Sequence, residues 1–309
     1  MNMSDPGRIR PDGEIASDDA VSDGSARSEA APVVVDVQGV EKVFDSDRGR
    51  LTALSGIDLS IREGEFISLI GPSGCGKSTL LRLIGDLTSP STGTILVNGK
   101  PARAARLGRE YGMVFQAPVL MDWRTVQRNV ELPLEIMGYS RAERERKARA
   151  MLELVELADF DRVHPWQLSG GMQQRVAIAR ALAFDPKLLL MDEPFGALDE
   201  MTRERMNLEL MNIWRRTGIT IIFVTHSIPE AVFLSSRVVV MSARPGRITR
   251  IVDVDLPHPR TVDTRELERY FELVTSVREA LRRHETDADS GSSDDSGDDG
   301  ARIRAEGLA

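Results

Sequence analysis

The apolar positions of this chain follow two rhythms. Ile57, Leu59 and Ile61 alternate with Asp58 and Ser60, which predicts a strand with one buried face. Val33-Val34-Val35-Asp36-Val37 is strand-like too, and Thr94-Ile95-Leu96-Val97 runs into Asn98-Gly99, a strong turn signal. These segments predict an antiparallel sheet near the start. Three other runs, Phe66–Ile70, Leu188–Met191 and Ile219–Val224, lack alternation and suit strands buried on both faces of a parallel α/β sheet. Helical patterns lie between them. Lys77–Ile84 gathers Leu80, Leu81, Leu83 and Ile84 on one side, Arg141–Leu157 is a charged amphipathic stretch, and Gln173–Ala183 is rich in helix formers. Gln116 to Gln167 is mostly helical and lies between two parallel strands. It is too long for one crossover helix, so it reads as an inserted helical subdomain. No internal repeat is visible.

The length of 309 residues exceeds one domain of ~150 residues and falls short of three. No window of 18 uncharged apolar residues occurs, so no membrane-spanning helix is encoded. Met1 to Pro32 is polar and acidic, without the apolar stretch of a secretory signal. A single cysteine, Cys75, has no internal disulfide partner, which fits a reducing cytoplasm. The net charge is -8, but it sits at the ends: residues 1–31 hold seven acids against three arginines, and residues 285–309 hold eight against two. The body is nearly neutral, which argues against a nucleic-acid partner. Both ends are rich in Ser, Gly and Asp, the composition of disordered tails.

Gly71-Pro72-Ser73-Gly74-Cys75-Gly76-Lys77-Ser78-Thr79 fits G-x4-G-K-[ST] between an apolar strand and a helix, the context of a phosphate-binding P-loop. Glycines let the backbone wrap closely around phosphate, and successive N–H groups at the helix start face the anion. Lys77 is placed to reach the β- and γ-phosphates and Ser78 to bind Mg²⁺. Leu188-Leu189-Leu190-Met191-Asp192-Glu193 is an apolar strand ending in two acids at the sheet edge where nucleotides bind. Asp192 is expected to hold Mg²⁺ through its water shell, and Glu193 to polarise the attacking water.

Leu168-Ser169-Gly170-Gly171-Met172-Gln173-Gln174-Arg175 decides among P-loop proteins: it resembles the signature of the ABC ATPases. Further segments are similar at family-like spacing. Gln116 resembles the Q-loop glutamine that touches Mg²⁺ and the attacking water. Gly196-Ala197-Leu198-Asp199 resembles the D-loop. His226 resembles the switch histidine beside the γ-phosphate, and Phe44 falls where the family stacks adenine. The resemblance implies an α/β P-loop NTPase with a RecA-like core, an N-terminal antiparallel β subdomain and the inserted helical subdomain. It implies ATP and Mg²⁺ as cofactors, with ATP held between the P-loop of one copy and Ser169, Gly170 and Gly171 of another. Cys75 is expected to confer sensitivity to thiol reagents and to have no catalytic role.

Finer likeness is carried by Phe115-Gln116-Ala117-Pro118-Val119-Leu120-Met121-Asp122-Trp123-Arg124-Thr125-Val126, followed by Asn129-Val130 and Leu132-Pro133-Leu134-Glu135. This resembles importer ATPases of the nitrate/sulfonate/taurine group, although Asp122 stands in place of the usual Pro and Asp86 in place of a usual Gly. A pyrimidine vitamin precursor as solute, and an exporter subunit, stay open as alternatives. The resemblance implies a separate membrane permease docking on Gln116–Val126, a second ATPase subunit in a homodimer, and an indirect partnership with a periplasmic or lipid-anchored solute-binding protein. The location implied is peripheral, on the cytoplasmic face of the cell membrane. The domain reading is an acidic tail over 1–32, an ABC ATPase domain over 33–260 with its helical subdomain at about 117–172, a C-terminal helix over 261–284 and a second acidic tail over 285–309.

Overall fold

The structure is a computed structural model that describes residues 31–46 and 49–290. Val33–Ser46 (β1) and Gly49–Arg62 (β2) pair as a long antiparallel hairpin. Phe66–Ile70 (β3) leaves it for a second sheet, and the helix Lys77–Ile84 (α1) follows. Thr92–Val97 (β4) and Lys100–Pro101 (β5) then return, completing an antiparallel sheet of order β2-β1-β4-β5. Asn98 and Gly99 turn that last hairpin with φ of 51° and 71°, the doubly left-handed turn that an Asn-Gly pair favours.

The remaining chain is Ala102–Leu107 (α2), Tyr111–Val114 (β6), Val126–Ile136 (α3), Arg141–Leu154 (α4), Gly170–Leu182 (α5), Leu188–Asp192 (β7), Glu200–Thr217 (α6), Thr220–Val224 (β8), Ile228–Leu234 (α7), Arg237–Met241 (β9), Ile248–Asp253 (β10) and Glu268–Ser290 (α8). The second sheet has the order β10-β9-β3-β8-β7-β6; every pair in it is parallel except β10 with β9. All five residues of β3, of β7 and of β8 are buried. Successive side chains point to opposite faces of a strand, so each strand serves two cores. Ile67, Leu69, Leu188, Leu190, Ile222 and Val224 join α1 and the antiparallel sheet. Phe66, Ile70, Leu189, Met191, Ile221 and Phe223 join the helices of the other side. A fully buried side chain of this size stabilises by roughly 1.5–3 kcal/mol, so both faces demand apolar residues and the alternation vanishes from the sequence.

Between β6 and β7, α3, α4 and α5 pack on one another as a helical layer. Asn129, fully buried in α3, donates to the carbonyls of Met121, Arg124 and Thr125 and accepts from the Met121 N–H. One side chain thereby ties residues 121–125 of the preceding loop to the helix. Asp86, which stands where the resemblance has Gly, adopts φ 49°, and its carboxylate accepts from Arg106 Nε at 2.8 Å. The left-handed backbone explains why Gly suits that position.

Two edges of the sequence reading need correction. Ala31 and Pro32, assigned to the first tail, are held to the body: the Ala31 carbonyl accepts from Arg62 and the Pro32 carbonyl from the Glu63 N–H. The last helix, α8, runs to Ser290, so residues 285–290 are helical rather than part of the second tail. The rest of both tails lies outside the described residues.

Candidate functional site

Neighbouring strands bring distant motifs to one sheet edge. β3 delivers Gly71–Thr79, β7 delivers Asp192 and Glu193, and β8 delivers His226, and these three strands lie side by side. The loop from Gly71 is a tight cradle. A Cβ at Gly71 would sit 2.7 Å from the Met241 carbonyl oxygen and 2.8 Å from Cys75 Sγ. Gly74 and Gly76 have φ of 73° and 103°, which side chains disfavour. Gly76 caps α1 without any side-chain acceptor, and no acid occupies the helix's first turn, so its N–H groups are left for an anion. Lys77 is buried and its Nζ donates to the carbonyls of Gly71 (2.8 Å) and Pro72 (3.0 Å), which lays it along the cradle. Ser78 Oγ donates to Asp192 Oδ1 at 2.6 Å. A hydroxyl and a carboxylate so close are hard oxygen donors of the kind Mg²⁺ takes beside phosphate. The cradle and the donor pair fit a Mg²⁺-nucleotide triphosphate.

Glu193 follows at the end of β7 with φ 47°, a left-handed backbone that is uncommon for a residue with a Cβ. Its N–H donates to the Val224 carbonyl and its own carbonyl accepts from the Gly196 N–H. This turn aims the carboxylate back toward the loop. Glu193 Oε2 lies 3.5 Å from His226 Nδ1. A Cβ on Gly196 would lie 3.2 Å from Gln116 Nε2 and 3.7 Å from Glu193 Oε2, so Gly196 leaves room for both groups to converge. A carboxylate, an amide and an imidazole thus meet beside the Ser78–Asp192 pair.

An open cleft of about 310 Å³ rises from the cradle, lined by Phe44, Leu51, Ala53, Ser73, Gly74, Gly76, Lys77, Ser78, Thr79, Glu193 and Arg244. Phe44 is 41% exposed, with Lys42 Nζ 4.8 Å from its ring centroid. Arg244 is the residue that sequence reasoning missed. It sits in a loop after β9 with no motif around it, and only the Arg-Pro-Gly turn could have drawn attention.

Ser169, Gly170, Gly171 and Asp199 do not line the cleft. Ser169 caps α5 and accepts from the Met172 N–H at 3.3 Å. A Cβ at Gly171 would press on Thr202 Cγ2 at 2.9 Å, and one at Gly170 would touch Leu198. Asp199 caps α6 at 3.0 Å from the Thr202 N–H, and that bond holds its carboxyl below the usual carboxylate range. These four residues therefore form a second surface, on adjoining helix starts, apart from the chain's own phosphate cradle. Ser169, Gly170 and Asp199 are exposed.

The family model described as ABC transporter matches residues 54–196. The nitrate import ATP-binding protein of a Synechocystis species is 45% identical over 259 residues, covering 82% of this chain and 97% of that protein. This chain belongs to the ABC transporter ATP-binding family. The aliphatic sulfonates import ATP-binding protein of Bacillus cereus is 42% identical, over 81% of this chain and 97% of the relative. Among solved structures, an ATP-binding cassette described as dimeric, in a post-hydrolysis state with ADP and Pi, superposes with a TM-score of 0.63 at 37% identity. That match covers 71% of this chain and 98% of the cassette. The ABC cassette is an ATP hydrolase that works with Mg²⁺, and its P-loop NTPase fold is the one described above.

The ABC family match also frames the segment after Gln116. Trp123 is 76% exposed and Val119 55%, although both are large and apolar. Arg180 donates to the carbonyls of Pro118 and Val119, and Asn129 holds residues 121–125 from below. The segment is thus braced by hydrogen bonds, with Val119 and Trp123 turned outward while Leu120 packs against the core. Among the described residues, no helix is long and apolar enough to cross a membrane.

Proposed function

We propose that this chain is the ATP-hydrolysing subunit of an importer for a small solute of the nitrate, sulfonate or taurine type, working through a separate permease. The observation that carries this reading is the near end-to-end likeness to the nitrate and sulfonate import proteins, together with the exposed Trp123 on a braced segment. In this reading, residues 33–260 are the ATPase unit, with its helical part at about 117–172. It sits peripherally on the cytoplasmic face of a membrane, with Gln116–Val126 against the permease.

Ser78, Asp192 and Gln116 would hold Mg²⁺, which would supply charge neutralisation on the β- and γ-phosphates. Phe44 stacks the adenine through its exposed ring face. The N–H groups of Gly71–Thr79, with Lys77, bind the phosphate chain. Glu193 takes the proton of the attacking water, and His226, 3.5 Å from the Glu193 carboxylate, orients it and stabilises charge on the transferring phosphoryl group. Ser169, Gly170, Gly171 and Asp199 act on the nucleotide of a second copy, which accounts for their distance from the chain's own cleft. Two ATP molecules then close a homodimer and hydrolysis reopens it. A solute-binding protein outside the membrane takes part only through the permease.

The test is affinity purification of the Glu193→Gln variant with ATP from detergent-solubilised membranes, followed by mass spectrometry. Recovery of a multi-span permease supports the reading, and a co-purifying solute-binding protein narrows the solute. Recovery of ribosomal or DNA-repair proteins without any membrane protein overturns it.

A further inference from the structure

Arg244 reaches the phosphate cradle from a loop far along the chain. Its Nε donates to the Gly74 carbonyl at 2.7 Å, and its Nη2 occupies the open side of Gly74, 2.9 Å from where a Cβ would stand. Among the described residues, the two Nη groups have no protein acceptor, and the side chain lines the nucleotide cleft. Gly74 has no side chain, so nothing of its own separates that guanidinium from the cleft.

The loop that carries Arg244 is fixed. Gly246 donates to the Ala53 carbonyl at 2.9 Å and accepts from the Ser55 N–H at 3.0 Å, which locks the loop to β2. Ser242 closes it from the other end: its N–H donates to the Arg247 carbonyl and its Oγ accepts from the Arg247 N–H. Gly246 passes so close to the cradle that a Cβ there would lie 1.9 Å from the Cys75 carbonyl oxygen. The guanidinium is therefore held in place before any nucleotide arrives, which lowers the ordering cost of binding. A planar guanidinium with one N–H spent on the loop and its remaining N–H groups turned to the cleft suits an anion with several oxygens.

We propose that Arg244 is a nucleotide-binding residue, supplying a second fixed cation, beside Lys77, to the phosphate chain of ATP. It ties the cradle's own backbone to the anion, so P-loop shape and ligand charge are read by one side chain. The charge-assisted bond should be worth about a tenfold change in affinity at a partly exposed site.

The test uses the full chain with Mg²⁺ and a fluorescent ATP analogue, displaced by ATP, ADP or adenosine at several salt concentrations. Arg244→Gln should raise the Kd for ATP ~10-fold, leave the weak binding of adenosine unchanged, and flatten the salt dependence, because a screened charge has been removed. Arg244→Lys, which keeps the charge without the planar fork, should recover part of the affinity and the full salt dependence. Melting temperatures of both variants check that the fold is retained. Wild-type affinity for ATP in Arg244→Gln overturns the proposal. So does an equal loss for ATP and adenosine with unchanged salt dependence, which would make Arg244 only a brace for Gly74.

Discussion

Replacing Gly246 by Ala tests how tightly the loop after β9 is fitted to the phosphate cradle. The added methyl would lie 1.9 Å from the Cys75 carbonyl oxygen, 3.1 Å from Leu54 Cδ2 and 3.2 Å from the Ala53 carbonyl oxygen. Carbon and carbonyl oxygen rest at about 3.3 Å or more, so the loop must retreat by about 1.4 Å. Two of the three obstacles are backbone, in β2 and in the P-loop, and neither can rotate away. A retreat of that size breaks both Gly246 backbone bonds, now 2.9 and 3.0 Å long. Each such bond contributes ~0.5–1.5 kcal/mol, so the variant should lose ~1–3 kcal/mol. For a domain of this size that is a fall of roughly 2–12 °C in melting temperature, read by differential scanning fluorimetry. Arg244 retreats with the loop, so the stabilisation conferred by ATP and Mg²⁺ should shrink as well. Gly138→Ala is the control: φ is 80° there and nothing lies within 4 Å, so it should cost ~1 kcal/mol of backbone strain and leave the nucleotide effect intact. An unchanged melting temperature and unchanged ATP effect in Gly246→Ala would refute the steric reasoning.

Other outcomes follow from the same site and core. Glu193→Gln should lower ATP turnover by ~10²–10⁴-fold while keeping nucleotide affinity, since the left-handed turn at Glu193 is kept and only the base is lost; hydrolysis at the wild-type rate would remove Glu193 from that role. Lys77→Ala should weaken binding of a fluorescent ATP analogue, and equal affinity would count against it. Burial raises the carboxyl of Glu230 above its ordinary 4.5, so between 4.5 and the folded value the unfolded chain has released a proton that the folded chain keeps. Stability carried by this group is therefore lost as pH rises through that window, and Glu230→Gln should gain on the wild type in melting temperature from pH 4.5 upward; parallel curves would contradict this. Arg260 is buried and donates to the carbonyls of Val232, Phe233 and Ser235. Arg260→Ala should cost ~3 kcal/mol in denaturant unfolding, with ATP affinity unaltered.

Much of this was written in local sequence. Phe66–Ile70 and Leu188–Asp192 are strands because uninterrupted burial selects apolar residues on both faces, and the glycines after β3 are needed by the loop's own geometry. Less local facts were hidden. β6 is four residues long and contains Gly112, where a Cβ would meet the Ala181 carbonyl at 2.4 Å, so packing against α5 replaced a strand-former. α6 buries Met206, Asn207, Leu210, Met211 and Ile213, but seven of its 18 residues are charged and its apolar stripe is thin. The start of α5 lies at Gly170 because Ser169 caps it, although two glycines disfavour a helix. Arg244 was invisible because its role depends on a loop that the fold, not the chain order, brings to Gly74. The second surface around Ser169 could be named from its motif, but its separation from the cradle needed coordinates.

The order of the strands also governs when the cleft can come into being. β1, β2, β4 and β5 all lie within residues 33–101, so their sheet can close soon after that stretch leaves the ribosome. β3 is threaded among them but finds its partners only in β8 and β9, which begin at Thr220 and Arg237. At typical synthesis speeds of ~5–20 residues per second, the four apolar residues and one serine of β3 wait roughly 8–30 s for a neighbour. Throughout that interval an unpaired, aggregation-prone edge is exposed beside a finished sheet. A nascent chain stalled before Thr220 holds every glycine of the phosphate loop and lacks the strands that give the loop its shape.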